Sequence, residues 1–129
     1  MSEAQEQTYL FQWVGYQQVE FEELKLLHHV PNGGKRDKRT AVGLKRQGVK
    51  AGVPDVVFPC ARGGYFGLYI ELKVNKNKTT DKQEQWIKDL REENYLVEVC
   101  YGWREAAEVL LNYIKQPKTV VKEVVKNEI

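Results

Sequence analysis

The chain alternates between segments in which hydrophobic residues recur every three or four positions and segments in which they alternate or run together. The first spacing predicts amphipathic helices. These helices cover about residues 3–18, 80–94 and 103–116, and a shorter basic helix covers 37–47. Trp13, Trp86 and Trp103 fall on the helices at core spacing, so we expect them to pack in the interior rather than stack on bases.

The second spacing predicts strands. A short strand or extended segment covers 26–30, a buried strand covers 56–58, another begins at residue 68, and a last one covers 95–101. Arg62-Gly63-Gly64 lies between the second and third of these and indicates a β-hairpin. The order α-β-α-β-β-α-β-α predicts an α/β structure with a small mixed sheet flanked by helices. We expect one domain over 1–116, followed by a charged, β-prone tail over 117–129 that is disordered or binds a partner.

The predicted hairpin carries a set of charged side chains. Pro54-Asp55 directly precedes its first strand, and Glu71 and Lys73 lie in its second. Because side chains alternate along a strand, Glu71 and Lys73 share one face, opposite the apolar residues. Charged groups at the end of a hydrophobic strand need partners, and Asp55 can supply the second carboxylate of a divalent-metal site. This arrangement suggests metal-assisted cleavage of a phosphodiester.

Basic residues concentrate immediately before Pro54-Asp55. The net charge of the chain is only +2, yet residues 31–53 hold seven basic residues against one acid. A positive surface beside two carboxylates suits a nuclease, because the phosphate backbone must be held close to the metal. Taken alone, the basic block is more typical of a solvated helix, and its position beside the acidic motif is what favours the nuclease interpretation.

Length and composition exclude other classes. The 129 residues suit a single domain. We expect a cytoplasmic protein, because no apolar run approaches the length of a membrane span and the N-terminus lacks the pattern of a signal peptide. Cys60 and Cys100 lack a zinc-site spacing and are predicted to be buried, reduced thiols. His28 and His29, adjacent on a strand, should face opposite ways, one into the core and one to the surface.

Several motifs occur together in a fixed order. They are Glu6-Gln7, Val30-Pro31-Asn32-Gly33-Gly34-Lys35-Arg36, the segments 48–55 and 67–73, then Thr80, Gln83, Trp86 and Tyr101-Gly102-Trp103. In this order they resemble the small stand-alone VRR-NUC nucleases of phages and bacteria. That family is a branch of the PD-(D/E)xK restriction-endonuclease-like superfamily. The resemblance implies a restriction-endonuclease-like core and a metal-dependent DNA endonuclease.

The resemblance also implies roles for individual residues at the metal. Asp55 and Glu71 would bind Mg²⁺ or Mn²⁺, helped by the main-chain carbonyl of Leu72, since these ions prefer oxygen ligands. Lys73 would orient or help to deprotonate the attacking water and stabilise the developing charge.

Two further residues are matched through the resemblance. Glu6 corresponds to the accessory acid of the superfamily, although Glu3, one turn away, is an alternative. Gln83 corresponds to a glutamine that supports the site, although it is equally expected to bond the backbone between sheet and helix.

The predicted partner is DNA. The phosphate-contacting candidates are Asn32, Lys35, Arg36, Arg39, Lys45 and Lys50. The resemblance implies a homodimer that acts on branched DNA such as four-way junctions, with no membrane association and no organic cofactor. A phage-encoded member would act in its bacterial host cell. Two other functions stay open: a non-catalytic nucleic-acid-binding module using residues 35–50, and a metal hydrolase that is not a nuclease.

Overall fold

The computed structural model describes residues 1–31 and 37–122, and its elements follow the predicted order. The elements are α1 (Glu3–Gln17), β1 (His28–His29), α2 (Lys38–Arg46), β2 (Val56–Phe58), β3 (Leu68–Lys73), α3 (Asp81–Glu92), β4 (Leu96–Tyr101) and α4 (Trp103–Ile114). A short 3₁₀ helix at Glu22–Leu26 precedes β1. The predicted α/β class and element order are confirmed.

The four strands form one mixed sheet in the order β1-β2-β3-β4. β1 pairs with β2, and β2 with β3, in antiparallel fashion, which confirms the predicted hairpin. β3 and β4 are parallel. β3 therefore has a strand on each side as far as Ile70, and the two motif residues that follow, Glu71 and Lys73, pair with β4.

Helices cover both faces of the sheet. One buried cluster joins apolar residues of α1 and α4 to one face of β3; it includes Leu10, Leu110, Tyr113, Leu68, Ile70 and Leu72. Side chains alternate along the strand, so Glu71 and Lys73 point to the opposite face. Ile87 of α3 is buried but lies outside that cluster, and α3 packs against β4. The charged pair is therefore buried on the side of β3 that faces away from the cluster with α1 and α4.

Side-chain caps define where the helices begin. Ser2 accepts a hydrogen bond from the Gln5 main chain at the start of α1, and Asp37 accepts one from Thr40 at the start of α2. Thr80 caps α3 in the same way. Each cap satisfies a main-chain N–H that has no partner within its helix, so these starts can be read from the sequence to within a residue.

The first residues of the predicted tail lie against the loop between β2 and β3. Gly63 N–H donates to the Pro117 carbonyl over 2.8 Å. Thr119 donates from its hydroxyl to the Tyr65 carbonyl over 2.6 Å. Contacts with the folded core thus continue past residue 116. Residues 120–122 are exposed and belong to no helix or strand. Residues 123–129 lie outside the described residues.

Two side-chain predictions are settled by the fold. Cys60 and Cys100 are buried free thiols, as predicted. The prediction for the histidines is wrong, because His28 and His29 are both exposed. β1 has only two residues and lies at one end of the sheet order, so neither of its faces is covered. No helix in the described part of the chain has the length and apolar character that crossing a lipid bilayer requires.

Gly52 allows the basic segment to pass close to α3 on its way to Asp55. Its φ is +92°, and a Cβ at this position would lie 2.8 Å from the carbonyl carbon of Lys82. Gly48 has a similar φ of +100°, but nothing lies within 4 Å of a Cβ placed there. Substitutions at the two glycines therefore distinguish two effects. Both positions have the strained backbone conformation, and only Gly52 is also sterically crowded.

We expect Gly52→Ala to destabilise the protein more than Gly48→Ala. Gly48→Ala should lower the free energy of unfolding by about 1–2 kcal/mol through backbone strain alone. Gly52→Ala should lower it by roughly 1–3 kcal/mol more, because its methyl group meets helix backbone that cannot turn aside. Urea unfolding of both variants measures the difference. Equal losses would show that the approach to α3 is not tight.

Candidate active site

Asp55 lies directly before β2, where three hydrogen bonds hold it. Its main-chain carbonyl accepts from the Val30 N–H over 2.8 Å and from His29 Nδ1 over 2.7 Å. Its Oδ2 accepts from the Leu72 N–H over 2.8 Å. Asp55 is thus bonded to the end of β1 on one side and to β3 on the other.

The Leu72 N–H reaches Asp55 because the ladder between β2 and β3 has ended. Its last pair in this direction is Val56 with Ile70. Beyond this pair, the Asp55 carboxylate takes the place of a main-chain acceptor. The N–H and C=O of one strand residue point to the same side, so the Leu72 carbonyl faces the Asp55 side as well. The three predicted metal ligands therefore lie together at this end of β3.

Glu71 is a carboxylate in the protein interior. The residue is 1% exposed, and its Oε1 has no hydrogen-bond partner among the described residues. The pKa of Glu71 is raised to about 10, mainly by burial and then by Asp55, which is a hydrogen-bond partner and a neighbouring negative charge. Lys73 lowers this pKa, and Glu3 raises it. Without an added cation, Glu71 therefore keeps its proton at neutral pH.

Lys73 follows on the same face of β3 and is 6% exposed. Its main-chain carbonyl accepts from the Gly102 N–H over 3.0 Å, which fixes the end of β3 to the start of α4. In the part of the chain that the structure describes, no carboxylate oxygen lies within 4.0 Å of its Nζ. The charge of Lys73 lowers the pKa of Glu71, so the ammonium group acts on Glu71 without forming an ion pair with it.

The two acids of α1 have different surroundings. Glu6 Oε2 accepts from the Trp103 N–H over 2.8 Å, at the start of α4 where Gly102 offers no side-chain cap. Glu3 is the α1 acid whose charge acts on Glu71. Glu6 thus ties α1 to α4, and its role as accessory acid stays a prediction.

Gln83 bonds the main chain, as one of its two expected roles requires, but it does so at the start of its own helix rather than between sheet and helix. Its Oε1 accepts from the Thr80 N–H over 2.9 Å, and its own N–H donates to the Thr80 hydroxyl. The pair forms a capping box at the start of α3. Gln83 is half-buried there, and its predicted support of the site remains a prediction.

The DNA-contacting candidates form two groups. Arg39, Lys45 and Lys50 are exposed, and α2 has no buried residue. Asn32, Lys35 and Arg36 lie outside the described residues. Within the described residues, the predicted basic surface therefore consists of α2 and the segment that follows it.

The residues present suit a hard divalent cation. Across residues 1–31 and 37–122, no group of three or more His, Cys, Asp or Glu side chains is arranged to hold a metal. The candidate ligand set is instead two carboxylates, Asp55 and Glu71, with the Leu72 carbonyl. All are oxygen donors of the kind that Mg²⁺ and Mn²⁺ prefer. A cation bound there would contact the unpartnered Glu71 oxygen and would allow both carboxylates to be ionised.

Two residues near the site were not identified from the sequence. His29 bonds the main chain of Asp55; since a carbonyl only accepts, its Nδ1 carries the proton. This contact depends on β1–β2 register, for which the sequence has no local signal. Glu3 was named only as an alternative to Glu6, and its effect on Glu71 depends on how α1 crosses β3.

Known proteins show similarity over most of the chain. The family model described as the VRR-NUC domain matches residues 1–104. A solved structure, that of a VRR_NUC domain protein, is 32% identical and has a TM-score of 0.78. The similarity covers 96% of this chain and 98% of that one. No curated protein matches the chain. The matched region contains all five predicted catalytic residues.

We expect Glu71→Gln to stabilise the protein in EDTA, and more so as the pH rises. Burial raises the pKa of Glu71 from its ordinary value of 4.5 to about 10, so between these values the folded chain holds a proton that the unfolded chain has released. Wild-type stability is complete below this window and falls through it, by up to about 1.4 kcal/mol per pH unit. Glutamine, neutral at every pH, removes that loss.

Urea unfolding at pH 5 and pH 8 measures this effect. The exposed Glu92→Gln on α3 is the control, and its effect on the free energy of unfolding should be similar at both pH values. If Glu71→Gln also changed stability equally at the two pH values, the Glu71 carboxyl would not be protonated in the folded state.

Proposed function

This chain belongs to the VRR-NUC family, and we propose that it is a DNA endonuclease that depends on Mg²⁺ or Mn²⁺. Membership of this nuclease-like family makes the chain a nuclease at the family level. Metal dependence is supported by one observation above all: Glu71, buried beside Asp55, has an oxygen without a hydrogen-bond partner in the described residues. Such a pair of carboxylates needs positive charge.

The ion would be held by Asp55, Glu71 and the Leu72 carbonyl. When bound, it supplies charge that polarises the scissile phosphate and makes water more acidic. The protein holds these ligands in advance of binding, because the Leu72 N–H already orients the Asp55 carboxylate. Pre-positioned ligands reduce the reorganisation that the reaction requires.

Lys73 would act directly on the reacting groups. Its ammonium carries three donors and no acceptor, so it can orient the attacking water and stabilise negative charge that develops on the phosphate. Burial of its stem on β3 limits the positions that the ammonium can reach. The negative charge of Glu3 can stabilise a proton or a second cation that lies nearby.

The exposed basic residues Arg39, Lys45 and Lys50 would hold the phosphate backbone. A homodimer is a reasonable assembly, because one small site cuts one strand and paired cuts need two sites related by symmetry. Selectivity for branched DNA, such as four-way junctions, is part of the same proposal.

We expect purified protein with Mn²⁺ or Mg²⁺ to cleave DNA, and EDTA to prevent cleavage. A labelled panel of single strand, duplex, flap and four-way junction identifies the preferred shape. Glu71→Gln and Lys73→Met should each lower the rate by at least about 100-fold. Lys76→Met, an exposed lysine just beyond β3, is the matched control and should retain wild-type rates.

Intact substrates in every metal condition would contradict the nuclease proposal. Binding of the panel by both wild type and Glu71→Gln, without cleavage by either, would instead support a non-catalytic nucleic-acid-binding module. Wild-type turnover by Lys73→Met would remove the lysine from the mechanism.

His29→Ala should weaken the response to metal, whereas His28→Ala should not. The two histidines are neighbours and both exposed, but only His29 bonds the Asp55 main chain; His28 bonds the Leu26 carbonyl. Removing a hydrogen bond that holds a metal ligand in position costs about tenfold or more in metal affinity or activity. We expect the Mn²⁺ concentration for half-maximal cleavage to rise in His29→Ala. Equal responses in the two variants would exclude a positioning role for His29.

A further inference from the structure

A groove of about 440 Å³ lies between α3 and two segments of the chain, 30–31 and 47–53. The residues that line it include Trp86, Val30, Val49, Val53, Gln47 and Lys50. Its volume lies within the roughly 300–1,000 Å³ typical of small-ligand sites. The walls are mostly apolar, and one basic and one amide side chain stand among them.

The groove adjoins the candidate active site through the main chain. Val30 N–H donates to the Asp55 carbonyl over 2.8 Å. Val53 lines the groove and precedes Asp55 by two residues in the chain. A group bound in the groove would therefore lie beside the residue that holds the metal, rather than on a remote face.

Trp86 differs from the other two tryptophans. Trp13 and Trp103 pack against the buried cluster between the sheet, α1 and α4, and Trp86 is not part of that packing. It is half-buried on α3 and forms a wall of the groove. The sequence-based expectation of interior packing holds for Trp13 and Trp103, whereas Trp86 has a partly open side chain available to a ligand.

The charge around the groove favours an anionic ligand. Residues 37–53 contain five basic residues and one acid, and Lys50 lines the groove itself. A nucleotide combines a planar base, which stacks on an aromatic ring, with a phosphate that a lysine attracts. Gln47 offers an amide for the polar edge of the base. The aromatic wall, the apolar sides and the lysine of the groove are therefore suited to binding one nucleotide.

We propose that this groove binds one unpaired nucleobase of the DNA, stacked on Trp86, next to the bond that is cut. The inference rests on the proposed function, since the ligand is part of the substrate. A base within an intact duplex is stacked on both sides and cannot enter, so the occupant must come from a single strand, a flap or an extruded position. The groove would thereby contribute to selectivity for DNA that is not fully paired.

The first test measures tryptophan fluorescence with a short oligothymidylate in EDTA, where no cleavage occurs. Stacking should quench the emission of wild type and of Trp13→Phe, but should leave that of Trp86→Phe nearly unchanged. Trp86→Phe retains an aromatic ring, so we expect this variant to fold. Circular dichroism checks that it does. Equal quenching in wild type and Trp86→Phe would overturn the proposal.

The second test compares affinities for single-stranded and fully paired DNA. Trp86→Leu, which keeps an apolar side chain, should lose about tenfold in affinity for the oligothymidylate, since stacking contributes roughly 1–3 kcal/mol per base. Its affinity for a duplex of equal length should be that of wild type. Equal losses on both substrates would indicate a general contact and overturn the proposal.

Both tests are independent of catalysis. If wild type cleaves no DNA but Trp86-dependent quenching is observed, the nuclease proposal fails and the nucleobase site stands. If wild type cleaves the panel and quenching does not depend on Trp86, the nucleobase site fails and the nuclease proposal stands.

Discussion

The burial of the Glu71 carboxylate is the constraint on which the rest of the site depends. Glu71 lies on β3 just beyond the last β2–β3 pair, beside β4, and its side chain is almost fully buried. Asp55 lies beside it and is itself held by the Leu72 N–H. The negative charge of Asp55 adds to burial in raising the pKa of Glu71. A cation bound there, as proposed above, would allow both groups to be ionised.

Other elements are connected to that strand end through main-chain contacts. The end of β1 reaches it through Val30 and His29, which bond Asp55. The start of α4 reaches it through Gly102, which bonds Lys73. Glu6 then joins α1 to α4. Because four separate segments converge on a few residues, the geometry of the carboxylates is set by the whole fold, and the groove bounded by Trp86 opens beside it.

Much of the candidate site could be predicted from the sequence. Asp55, Glu71 and Lys73 stand out because charged residues next to buried strands are unfavourable unless they have a function or a partner. The helix starts were predictable from local capping residues such as Thr80. The contacts of His29, Glu6 and Trp86 were not predictable, since each joins segments far apart in the chain.

By itself, the sequence determined the order of helices and strands, the hairpin and the family to which the chain belongs, because periodicity, capping and ordered motifs are local properties. Only the tertiary structure decided which charges meet. It left both histidines exposed on a two-residue strand, placed the charge of Glu3 near Glu71, and left Trp86 beside a groove. These outcomes depend on strand register and on how helices cross the sheet, which arise from packing of the whole chain.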